Sequence, residues 1–152
     1  MNAKDERQKE RESLAARLDR HADEEDKILT EYRQMVSTAG EGPVSFLMDL
    51  ILTDEEFHHF LFRTMAKWLT EPSKRGELLT GDREEFVRQG QTLWKHEEET
   101  INECGALRSR FQSELAEPTE ALLFDALLGV MISDSEKHQR LLSVVEKMIK
   151  GA

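Results

Sequence analysis

Two stretches of the chain set acidic residues and histidines among apolar ones at spacings that suit metal ligation. The first is Thr53-Asp54-Glu55-Glu56-Phe57-His58-His59-Phe60-Leu61-Phe62, and a fainter copy returns as Ser133-Asp134-Ser135-Glu136-Lys137-His138-Gln139-Arg140-Leu141-Leu142. In the first copy Glu55 and His58 are three apart, so on a helix they share a face and reach the same ion. In the second copy His138 matches His58 and Ser135 matches Glu55, while the nearest carboxylate, Asp134, stands four before His138 and is one methylene shorter than glutamate. Two further carboxylates, Glu25 and Glu97, interrupt apolar stripes elsewhere in the chain. A charged carboxylate on a core face is expensive unless it is paired or bound to a metal. Glu25, Glu55, Glu97 and Asp134 with His58 and His138 are hard and borderline donors, suited to two iron or manganese ions bridged by carboxylates.

Helices have to bring these residues together. Pro43, Pro72 and Pro118 divide the chain into four helical segments, since proline is tolerated in the first turn of a helix but breaks its interior. The spacing predicts helices over about 9–38, 43–70, 82–115 and 118–149, with a polar N-terminus, about 1–10, that frays. Each segment carries apolar residues at steps of three or four. Segment one has Leu14, Leu18, His21, Glu25, Ile28, Tyr32 and Met35; segment two has Leu47, Ile51, Glu55, His58, Phe62, Met65 and Leu69. Segment three stacks Phe86, Gly90, Leu93, Glu97, Ile101, Cys104, Leu107 and Phe111, and segment four Leu123, Leu127, Val130, Asp134, His138, Leu141, Val145 and Met148. Gly42 and Pro43 mark the start of the second helix, and Asp82 with Glu85 has the capping-box spacing at the start of the third. No alternating run or Asn-Gly or Asp-Gly turn argues for strands. The expectation is an all-α chain forming one domain over 1–152, an antiparallel four-helix bundle. A stretch of about eleven residues, 71–81, is long enough to act as a crossover between helices two and three.

Composition narrows the setting. A formal net charge of -10 disfavours nucleic acid and anionic membranes as partners. Apolar runs fall short of the roughly 20 residues of a membrane span. The single cysteine, Cys104, forms no internal disulfide, and the polar N-terminus does not read as a signal peptide, so the expected location is cytoplasmic.

On the residues Glu25, Glu55-x-x-His58, Glu97 and His138, the chain resembles the ferritin-like superfamily, in particular the rubrerythrin-type di-iron carboxylate bundles. Those bundles take one glutamate from each of two helices and a Glu-x-x-His from each of the other two. The resemblance spans about Leu14 to Ile149. It implies Glu25 and Glu97 as the single carboxylates, Glu55 with His58 as the first Glu-x-x-His, and a non-haem di-iron or manganese site suited to oxidation of Fe(II) by oxygen or peroxide, a ferroxidase or oxidase type of activity. The second Glu-x-x-His is degenerate, with Ser135 in the glutamate's place, so a mononuclear centre stays open. So does a non-enzymatic helical bundle, acting as a binding or interaction module, whose metal site is incomplete. No Cys-x-x-Cys pair supplies a rubredoxin-like electron relay.

With 31 acidic residues in 152, a histidine three or four after a carboxylate is common by chance, and neither motif stands alone. His59 reads as a surface or interface residue, or as a shifted ligand with Glu56. His21, four before Glu25, invites a hemerythrin-like reading that the fourth helix does not support. Tyr32 reads as a core aromatic, with a place beside the site as the alternative, and Cys104 as a small buried hydrophobe. Leu50, Phe57, Leu61 and Trp68 form a second apolar seam on helix two, which points to a homodimer.

Overall fold

The computed structural model describes residues 2–151, and among them there are four long helices and no strand. They are α1 (Ala3–Ala39), α2 (Pro43–Thr70), α3 (Arg83–Glu114) and α4 (Pro118–Gly151), with a short 3-10 turn at Pro72–Arg75. The breaks fall where proline and glycine place them. Gly42 caps α2 ahead of Pro43, and Gly40 and Gly42 take positive φ values of 74° and 144°, which permits the tight turn after α1. Asp82 accepts a hydrogen bond from the Glu85 backbone N–H at 3.1 Å and so caps α3. The Glu85 side chain does not complete a capping box, because it is engaged by Arg88 and Gln89.

The N-terminus departs from expectation. α1 is helical from Ala3, where a frayed segment over 1–10 was expected. Asn2 caps it by accepting from the Lys4 N–H, Asp5 and Glu6 sit favourably in the first turn, and Gln8 donates to Glu12 one turn on. Strong helix formers with local pairs sustain the charged first turns of α1, which have no apolar face. Arg11 then ties it down, its Nε donating to the Leu69 carbonyl at 2.9 Å.

The chain divides into two compact units, Met1–Gly76 and Glu77–Ala152, each a helical hairpin. In the first, α1 packs on α2, and its cross-helix partners run in opposite order: Arg11 meets Leu69, Asp19 and Asp23 meet Arg63, Asp26 meets His59, and Arg33 meets Glu56. In the second, α3 packs on α4 with the same reversal, from Gln91 with Glu146 through Glu97 with His138 to Arg108 with Asp125. No described helix is long and apolar enough to cross a membrane.

Burial reveals the seam of each hairpin. On α1 the buried residues are Ala15, Ala22 and Leu29, spaced by seven, with Leu18, Glu25 and Tyr32 half-buried at the intervening positions. On α2 the matching rows are Leu52, His59 and Ala66, and Glu55, Phe62 and Leu69. α3 contributes Gly90, Glu97, Cys104 and Phe111, and α4 contributes Leu128, Ser135, Leu142 and Ile149. This seven-residue repeat is that of two helices in knobs-into-holes contact. Each predicted stripe is only half on the seam: Glu25, Glu55, Phe62, Glu97 and Cys104 lie there. A second column, including Leu14, Ile28, Met35, Ile51, Met65, Leu93, Leu141 and Met148, is exposed. The extra seam proposed on α2 is also open, with Phe57, Leu61 and Trp68 exposed and Phe57 stacked on Phe60.

Candidate metal-ligand sites on the two hairpins

In the first hairpin the seam position 25 on α1 falls level with residues 58 and 59 on α2, since Asp26 Oδ1 lies 3.0 Å from His59 Nε2 and the His21 ring meets Phe62 at 4.6 Å between centroids. The Glu25 side chain is only 15% exposed. Its Oε1 stands 3.4 Å from His21 Nε2, while its Oε2 is buried with no hydrogen-bond partner. Glu55, also on the seam, has Oε2 at 3.8 Å from His58 Nδ1. His58 is 52% exposed and His59 26%, so the seam histidine is the second of the pair. His59 Nε2 is close enough to Asp26 for an ion pair but lacks hydrogen-bond geometry. Glu25 and Glu55 face the seam, His21 and His58 flank them, and one buried carboxylate oxygen is left unsatisfied.

The second hairpin is organised differently. Glu97 on α3 and His138 on α4 meet across the pair, with Nδ1 to Oε1 at 3.0 Å. Ser135, one turn before His138 and 5% exposed, is the side chain that acts most strongly on the same carboxylate. The Glu97 carboxyl is held below its ordinary value of 4.5, Ser135 contributing most; burial opposes this and is itself larger than the hydrogen bond from His138, to which the charges of His138 and His96 add. Asp134, expected on the core face, is 46% exposed and pairs along its own helix with Lys137 at 2.6 Å. Position 135, the one that matches Glu55, is the inward one.

Among the described residues, no three histidine, cysteine, aspartate or glutamate side chains stand together closely enough to hold a metal ion. Within the first hairpin, Glu25 pairs with His21 and Glu55 with His58, each along its own helix. The residues that pattern reading undervalued are His59, His21 and Ser135. Counting sevens from Ala66 on α2 and from Leu128 on α4, and not threes and fours from the largest side chains, would have placed His59 and Ser135 on their seams. Comparison with protein-family models, with curated proteins and with solved structures finds no match for this chain.

The Glu97 network carries a pH signature. Its carboxyl is depressed in the folded state, so its stabilising contribution is present above the unfolded value of about 4.5 and is lost as pH falls through the lower folded value. Carbon-detected NMR of the carboxyl should show Glu97 titrating below its ordinary value of 4.5, and Ser135→Ala should move it upward. An unchanged midpoint in that variant would show that the serine hydroxyl does not donate to Glu97.

Proposed function

We propose that the chain is a metal-binding helical protein of ferritin-like build that takes iron or manganese through Glu25, Glu55 and His58 of the first hairpin. The observation that carries this reading is the Glu25 carboxylate. It sits on an apolar seam between Ala22 and Leu29, with a buried oxygen that no protein donor satisfies. Such a group is costly in the folded state and is the kind of site a cation relieves. Glu55 and His58, three apart on the facing helix, supply the further oxygen and nitrogen donors that these ions favour. When bound, iron of this class would supply ferroxidase-type chemistry, Fe(II) being oxidised to Fe(III) as oxygen or peroxide is reduced. The residues' own part is to hold and orient the ion and to neutralise its charge at a site flanked by Phe62 and Leu29.

The fold that accompanies this reading is the antiparallel four-helix bundle. The columns outside each seam, Leu14, Ile28 and Met35 on α1 with Ile51 and Met65 on α2, are what helices of such a bundle bury. The open seam of Phe57, Leu61 and Trp68 supports a homodimer, and the acidic surface and cysteine usage fit a cytoplasmic protein whose partners are metal ions and a second copy, with no part for nucleic acid or membrane.

Metal analysis tests the reading. Protein purified without chelators or a metal-binding tag should carry iron or manganese, and Glu55→Ala should lose it. Added Mn(II) at a hundred times its dissociation constant should stabilise the wild type by about 2.7 kcal/mol. Metal-free protein whose melting temperature ignores Fe(II) and Mn(II) would sink the proposal and leave the non-enzymatic interaction module in its place.

A further inference from the structure

We infer that α2 pairs antiparallel with α2 of a second copy of this chain, about a two-fold axis level with His59, setting Leu50 on Trp68, Asp54 on Thr64 and Phe57 on Leu61. The inference rests on the reading that the open seam of α2 is a homodimer interface, and it is independent of metal.

The six positions stand on the side of the helix wheel opposite Leu52, His59 and Ala66, which α2 gives to α1. Their steps alternate between four and three residues, the spacing that lines one edge of a helix in a two-helix coiled-coil contact. They cover about 27 Å of α2, all of it inside Pro43–Thr70. Phe57, Leu61 and Trp68 are exposed, as is Phe60, which stacks on Phe57 at 6.1 Å between ring centroids.

What identifies the occupant as a second copy is that this row complements itself when reversed. Leu50 and Trp68, Asp54 and Thr64, and Phe57 and Leu61 are each equidistant from position 59. A two-fold axis there places apolar side chains on apolar ones and the Asp54 carboxylate against a hydroxyl that can donate to it, as the isologous contact of a dimer requires. Other pairings break the match. A slide of one heptad sets Phe57 against Asp54 in one direction and Leu61 against Thr64 in the other. A parallel pair sets Asp54 against its own copy, which like-charge repulsion opposes. The area is sufficient as well. Phe57, Phe60 and Trp68 are about half-exposed, and aromatic side chains carry roughly 150–250 Å² each, so the two copies bring on the order of 600 Å² from these rings alone. Leu50, Asp54, Leu61 and Thr64 raise this to about the 1,000 Å² that a specific interface needs.

Analytical ultracentrifugation of the full chain should give twice the 17.6 kDa of one chain. Leu61→Glu, at a position already exposed in the hairpin, should keep its helical circular dichroism and weaken the dimer more than a hundredfold. Mild oxidation of the double variant Asp54→Cys/Thr64→Cys should give a covalent dimer, because these positions lie about 15 Å apart on one helix and meet only across the axis. Asp54→Cys alone should give none, the native Cys104 being buried. A monomeric wild type overturns the homodimer reading and the inference with it. A Leu61→Glu variant that still dimerises, or that loses its helical fold, overturns the inference by showing that the second copy does not sit on this face. A covalent dimer from Asp54→Cys alone, or none from a double variant that is dimeric under reduction, overturns the antiparallel pairing and leaves the homodimer in place.

Discussion

Glu25→Leu is expected to raise the stability of the metal-free protein and to abolish its stabilisation by Mn(II). The two effects have one cause. Glu25 sits between Ala22 and Leu29 on the α1 seam, its side chain is 15% exposed, and its Oε2 is buried without a hydrogen-bond partner. An unsatisfied buried polar atom costs about 1–3 kcal/mol, and an apolar residue of similar size removes that cost. Leucine also fits the seven-residue repeat to which Leu18 and Tyr32 belong. The gain should therefore be on the order of 1–3 kcal/mol in the presence of chelator. With excess Mn(II) the order should reverse, because only the wild type gains from a ligand of the native state. Thermal unfolding of both proteins with chelator and with Mn(II) measures all four values. A metal-free variant less stable than wild type would show that the Glu25 carboxylate is engaged by a donor. A variant that still responds to Mn(II) would remove Glu25 from the ligand set.

Ala22→Leu should have the opposite sign, destabilising the first hairpin by about 1–3 kcal/mol or more. Ala22 is 0% exposed, and Ala15 and Ala66 are buried on the same seam. Three buried alanines on facing seams let the two helices approach closely. Three added carbons must either push the helices apart or take a strained rotamer. Parting the helices would also lengthen the Asp26–His59 and Asp23–Arg63 contacts that lie within a turn of Ala22 on α1. Ala16→Leu, one residue from Ala15 on the exposed face, is the control and should stay within about 0.5 kcal/mol. Chemical denaturation followed by circular dichroism reads both. If Ala22→Leu is as stable as its control, the helices have room to re-space and the seam is looser than its burial implies.

Much of the architecture was legible without coordinates. Pro43 and Pro118 start their helices at the residue expected, Gly42 and Asp82 cap α2 and α3, and the four segments fall within a few residues of their predicted limits except at the N-terminus. These features are local. A proline's fixed φ and missing N–H, a glycine's access to positive φ, and an aspartate's reach to the N–H three residues on act within one turn, and no other part of the chain is needed to read them.

The choice of face was not local. Each apolar stripe is wide enough to offer two edges, Leu14 or Ala15, Ile28 or Leu29, Met35 or Val36, and the spacing of large side chains pointed to the first of each pair. Packing selects the second, because small residues let two backbones close to seam distance and the larger ones then stand outside it. A rotation of one residue on the helix wheel exchanged His58 for His59 and Asp134 for Ser135 at the seam, while Glu25, Glu55 and Glu97 remained on it. The sequence by itself thus determined that the chain is helical, where its helices begin and end, and which carboxylates sit at mid-helix among apolar neighbours. Only the tertiary structure decided which of those carboxylates has a partner. That depends on which side chain a facing helix presents at the same level: for Glu97 it is Ser135 and His138, whereas no donor reaches Glu25 Oε2.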